Sequence, residues 1–122
     1  MFFSKKPTNQ EKFEHYEGLE GFQWGTSCTL TVNAGTLTFA KTKPDLAVNL
    51  SISQLQGIEF MSELNFMTQY HSEVSDISPE AVETFVWVIH YTDNAGNAKY
   101  IVLVAAGNDK FMQSIKDQLP GA

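Results

Sequence analysis

The 122-residue chain contains no arginine, so its basic side chains are eight lysines. It therefore lacks the planar guanidinium fork that grips phosphates and carboxylates bidentately. The formal net charge of -6 opposes attraction to nucleic-acid backbones and anionic lipid surfaces, so no nucleic-acid partner is expected. A single cysteine, Cys28, precludes an internal disulfide and fits a reducing compartment; on an apolar strand face it reads as a packing residue. No stretch approaches the roughly 20 apolar residues of a membrane-spanning helix. The opening MFFSKKPTNQ sets aromatics before lysines, the reverse of a secretion signal, and the expected location is cytoplasmic. There is no nucleophile-elbow motif, phosphate-cradling glycine loop, H-E-x-x-H or EF-hand loop. Accordingly no catalytic residue, metal site or cofactor is expected.

What remains is an ordinary globular composition, 43% hydrophobic and 18% charged, in a length suited to one core. The most informative stretch is FVWVIHYTDNAGNAKYIVLVAAG, residues 85–107. It reads as a hairpin closed by Asp93-Asn94-Ala95-Gly96-Asn97, residues that tolerate turn geometry. Because side chains alternate across a strand, Phe85, Trp87, Ile89 and Tyr91 share one face and Val86, Val88, His90 and Thr92 the other. Both faces are largely apolar, and one core can cover only one of them. The second face needs either another element of the same chain or a second subunit. Val86, Val88, His90, Ile101 and Leu103 are the interface candidates on the latter reading. His90, within an apolar hairpin, reads as a packing or interface histidine rather than a base.

Ahead of this hairpin, SCTLTVNAGTLTFA alternates around Asn33-Ala34-Gly35, with Cys28, Leu30, Val32, Leu37 and Phe39 on one side. Leu46, Val48, Leu50 and Ile52 continue the pattern, and Ile58 and Phe60 follow a phase change near Gly57. Four meandering strands result. Thr8 and Glu11 have capping-box spacing, which predicts a short helix over residues 9–17 docked by Phe13 and Tyr16, with Glu11, Glu14 and Glu17 as a solvated acidic stripe. Leu64, Phe66, Thr68 and Tyr70 alternate as a possible fifth strand, His71 to Pro79 reads as a polar loop, and Pro79 to Glu83 suits a helical turn. His71, Glu73 and Asp76 offer metal-ligating atoms without a metal-site spacing. Phe111, Met112, Ile115 and Leu119 fall on one face of a final amphipathic helix that starts at Gly107 or Asn108.

In order of elements, LTVNAGTLTFAK, LAVNLSISQLQGIEF, the 85–105 hairpin and NDKFMQSIKDQL resemble pleckstrin-homology-like domains, in particular the bacterial members and the related GRAM group. The resemblance covers about residues 22–119. It implies a mainly β (α+β) fold, a PH-like barrel or sandwich of about six to seven antiparallel strands with a C-terminal amphipathic helix. The short N-terminal helix would lie in a separate segment, 1–21, before a PH-like domain over 22–122. The phosphoinositide-binding members carry basic clusters at the first hairpin loop; here that loop is Asn33-Ala34-Gly35, and Lys41 and Lys43 alone do not replace them. Headgroup binding is therefore not carried across.

The functional expectation is a non-catalytic intracellular module acting through protein contacts, including self-association as a homo-oligomer, since some bacterial members of the resembled family form symmetric assemblies. One alternative is a peripheral membrane or lipid-binding module using Phe2, Phe3, Lys5 and Lys6, a weak anchor that weighs against a membrane partner. Another is a small-ligand-binding protein or enzyme whose aromatic pocket uses Trp24, Trp87, Tyr70, Tyr91 and Tyr100, although core packing is the commoner use of such residues.

Overall fold

A computed structural model describes residues 9–71 and 84–119. Among these residues seven antiparallel strands form one sheet: β1 (Gln10–Glu17), β2 (Ser27–Asn33), β3 (Thr36–Lys41), β4 (Leu46–Ser51), β5 (Leu55–Ser62), β6 (Phe85–Thr92) and β7 (Ala98–Val104). Helix α1 (Glu63–His71) separates β5 from β6, and α2 (Asp109–Lys116) follows β7. The strand order is β4-β3-β2-β1-β7-β6-β5. Its two end strands, β4 and β5, are consecutive in sequence and joined by the single 3-10 turn Ile52–Gln54. The sheet bends round a shared interior in which Leu30, Leu37 and Phe39 from one half pack with Ile58, Ile89, Ile101 and Leu103 from the other. Phe111, Met112 and Ile115 of α2 are buried in that interior.

Local chemistry accounts for the corners. Asn33 pairs with Thr36, leaving Ala34 and Gly35 as a two-residue connection in which both have positive φ, the backbone that suits the twist of a tight hairpin. At the β6–β7 turn Asp93 Oδ1 accepts the amides of Ala95 and Asn97 at 2.9 and 2.8 Å, and Lys99 reaches Asp93 at 3.1 Å. These contacts hold the Asp93 carboxyl below its usual range, the Asn97 amide contributing most. Ser51 and Gln54 form a capping box at the β4–β5 corner, and Gln54 Nε2 donates onward to the Thr92 carbonyl at 3.0 Å. One turn is thereby tied to the other.

Residues 9–17 do not form the expected helix: Gln10–Glu17 is β1, in the middle of the sheet between β2 and β7. Phe13 and His15 are buried while Lys12 and Glu14 are exposed, a period of two that the helical reading of Phe13 and Tyr16 overlooked. Pairing with two neighbours outweighs the capping-box spacing, a local signal that tertiary contacts override. The described part of the 1–21 segment is thus built into the same sheet as the rest. The acidic stripe dissolves with the helix, because Glu11 meets the Asn108 amide at 3.3 Å while Glu17 lies against α1.

The expected fifth strand at Leu64 to Tyr70 is also a helix. Ser62 Oγ accepts the Asn65 amide at 3.1 Å, Glu63 sits in the first turn, and Phe66 stacks on Tyr70 one turn later with ring centroids 5.0 Å apart. Ile52, read as the end of a strand, lies in the 3-10 turn. The polar loop at 72–79, with Glu73 and Asp76, and the helical turn at 79–83 lie outside the described residues, as do Phe2, Phe3, Lys5 and Lys6.

Candidate interaction surfaces

The two apolar faces of the β6–β7 hairpin meet different partners within the chain. Trp87 pairs with Leu103 and Ile89 with Ile101, and all four point into the main interior. Val86, Val88 and Val102 point outward, where with Met61 they form a second buried cluster beneath Phe66 of α1. Tyr16, Met67, Tyr70 and Tyr100 close its rim. Of the five interface candidates, Val86 and Val88 thus lie under α1, and Ile101 and Leu103 lie in the main interior; all four are fully buried in a single chain. They present no surface to a second subunit. His90 alone is partly exposed, with 29% of its side chain accessible.

The rim of α1 is polar and its groups converge in pairs. Tyr16 Oη donates to Glu63 at 2.7 Å near the start of the helix. Tyr70 Oη donates to Glu59 Oε1 at 2.9 Å, and His90 Nε2 lies 2.6 Å from the same oxygen, so that nitrogen carries a proton. Tyr100 Oη and His71 Nε2 both reach Glu17, at 3.0 and 2.9 Å. Bonding from His90 first, then from Tyr70, holds the Glu59 carboxyl below its ordinary value. Burial, then the bond to Glu59, pushes Tyr70 up to about 12; burial, then Glu17, does the same for Tyr100. Both phenols stay protonated near neutral pH and act as donors. Tyr70 and His90 reach the same carboxylate oxygen and lie 3.1 Å from each other, an arrangement that fastens α1 to β5 and β6.

Other candidate chemistry is dispersed. Burial pushes the Cys28 thiol up to about 11, which keeps it neutral and unreactive. Among the described residues no three His, Cys, Asp or Glu side chains are grouped to hold a metal ion. The aromatics proposed for one pocket occupy separate environments: Trp87 is inside, Tyr91 packs against the interior, Tyr70 and Tyr100 rim α1, and Trp24 is 70% exposed. Lys41 Nζ is engaged by the Pro44 carbonyl at 3.0 Å and lies 6.0 Å from the Phe22 ring centre.

One apolar surface does face solvent on a sheet end. β5 pairs with β6 on one side and ends the sheet on the other. Phe60 of β5 leaves 51% of its surface exposed, stacked parallel on Phe85 with centroids 5.1 Å apart and tilted against Trp87 at 4.7 Å. The buried Trp87 Nε1 has no hydrogen-bond partner among the described residues. Sequence alternation put Phe60 in the core with Ile58; it could not show that Phe60 falls on an end strand. The chain matches no protein-family model, no curated protein and no solved structure.

Proposed function

We propose that this protein is a non-catalytic, pleckstrin-homology-like module that works in the cytoplasm through contact with protein chains, self-association included, and that the contact surface is the open side of β5 around Phe60. The observation that carries the reading is the half-exposed Phe60 ring, backed by Phe85 and Trp87, on a strand whose second side is unpaired among the described residues. An unpaired strand is a template for another chain, and an adjacent rigid aromatic supplies an anchor. The strand order, with a helix after β7, supports the PH-like reading. Covering the hairpin's second face with α1 moves the contact surface away from Val86, Val88, Ile101 and Leu103.

Burying the exposed half of Phe60 contributes only about 1 kcal/mol per chain, so main-chain hydrogen bonds along β5 must supply most of the affinity. Light scattering over a concentration series, with and without Phe60→Ser, tests this. The expected result is a rise in mass with concentration, weakened about five-fold or more by the substitution. Wild-type protein that stays monomeric throughout and retains no protein partner from lysate overturns the proposal.

A further inference from the structure

The loop between β1 and β2 is held at Leu19, Phe22, Gln23, Gly25 and Thr26, yet it presents a tryptophan to solvent. His15, 2% exposed, engages it with both ring nitrogens: Nδ1 donates to the Gln23 carbonyl at 3.0 Å and Nε2 accepts the Leu19 amide at 3.2 Å. The Gly25 amide donates to the His15 carbonyl at 2.8 Å, and the His15 amide to Thr26 at 2.7 Å. Leu19 and Phe22 plug into the main interior. At Gly18, φ is +107° and a Cβ would collide with the Tyr100 carbonyl, so the loop lies directly against β7. With its neighbours held, Trp24 remains 70% exposed, its ring edge-on to Tyr16 at 6.5 Å. An aromatic carried on a backbone held by its neighbours costs less ordering on binding than one on an unanchored loop.

At Gly25, the residue after Trp24, opens a cleft of about 210 Å³, lined also by Phe13, Val104 and Ala106 with Glu14 and Lys12. Glu14 and Tyr16 are successive outward positions of β1, and Tyr16 carries Glu63 on its hydroxyl at 2.7 Å. Glu14 thus lines the cleft beside Gly25, and Glu63 is bonded to the tyrosine whose ring the indole meets, in a chain of net charge -6. Lys12 lies one further outward position along, at the far end from Tyr16. It disfavours a cation there and leaves the Trp24 end as the place for one.

We propose that the Trp24 loop and the adjoining cleft form a docking surface for a basic peptide segment. A lysine or arginine side chain of the partner lies over the indole, its aliphatic stem enters the cleft, and its charge faces Glu14 and Glu63. The surface is separate from the Phe60 strand and does not depend on it.

The probe is an acetylated, amidated Gly-Lys-Gly-Arg-Gly peptide titrated into the full chain at about 50 mM salt, followed through the two indole N–H signals in a proton–nitrogen NMR spectrum. The expected result is saturable movement of the Trp24 signal with the buried Trp87 signal still, weakening as salt rises. Trp24→Phe should weaken binding about two- to five-fold, read from backbone amides of the loop. Glu14→Gln should do likewise and flatten the salt dependence, while Phe60→Ser should leave binding unchanged. The proposal is overturned if the Trp24 signal stays still at millimolar peptide, or if a Gly-Glu-Gly-Glu-Gly peptide moves it equally. Equal movement with neutral phosphatidylcholine vesicles and none with the basic peptide also overturns it, in favour of a lipid surface.

Discussion

Replacing Phe66 with alanine tests how the second face of the hairpin is sealed. Phe66 is the one fully buried side chain of α1, and it covers Val86, Val88, Val102 and Met61. Truncating a buried phenylalanine to alanine costs about 3–5 kcal/mol. A nine-residue helix has almost no stability apart from its packing, so α1 cannot survive as a lid without that ring. The polar rim does not compensate, because each of its bonds to partly exposed carboxylates contributes only about 0.5–1.5 kcal/mol. Phe66→Ala should therefore release α1 while the main interior, which Phe66 does not enter, keeps its fold. Urea denaturation should show a loss near 3 kcal/mol, a fall in Tm of roughly 10 °C, and hydrophobic-dye binding in the absence of denaturant. Phe39→Ala, in the main interior, should lose comparable stability without a dye-binding folded state. A Phe66→Ala protein that loses under 1 kcal/mol and binds no dye would refute this account of α1.

Gly18→Ala should destabilise by more than about 2 kcal/mol, because alanine is strained at φ +107° and its methyl meets the β7 backbone; a melt within 2 °C of wild type would count against that geometry. Glu59 has a lowered folded pKa, so its contribution is present above the ordinary carboxylate value of about 4.3 and is lost as pH falls through the folded value. The Tm difference between wild type and Glu59→Gln should accordingly be largest near pH ~6 and shrink below about pH 4; a difference that grows with acid would reverse the assignment. Cys28 should resist iodoacetamide at pH ~8 in the native protein and react on denaturation, since burial keeps its thiol protonated. Rapid native labelling would contradict its burial.

Strands were legible where alternation was strict and the turn chemistry local. Cys28, Leu30, Leu37 and Phe39 all point inward, and Asn33-Ala34-Gly35 closes their hairpin. The apolar pattern of residues 85–104 also carried real information, because both faces of that ribbon are covered. What alternation cannot carry is which element does the covering. In Leu64, Phe66, Thr68 and Tyr70 the apolar alternation competed with the four-residue spacing of Phe66 and Tyr70 and with Ser62 ahead of Glu63; the helical signals were present and weaker than the strand pattern. The segment 9–17 failed the other way, a cap motif outranking the alternation of Phe13 and His15. The carboxylates that fasten α1 come from β1 and β5, with partners 11 to 83 residues away, so their convergence depends on strand order and not on any local motif.

The most direct measurement is a set of nuclear Overhauser contacts from the Phe66 ring to the methyl groups of Val86, Val88 and Val102, recorded on a mixture of labelled and unlabelled chains. Contacts within one chain, and none between chains, are predicted. Valine methyls that contact only the other chain, or no aromatic ring at all, would contradict a hairpin sealed by its own helix.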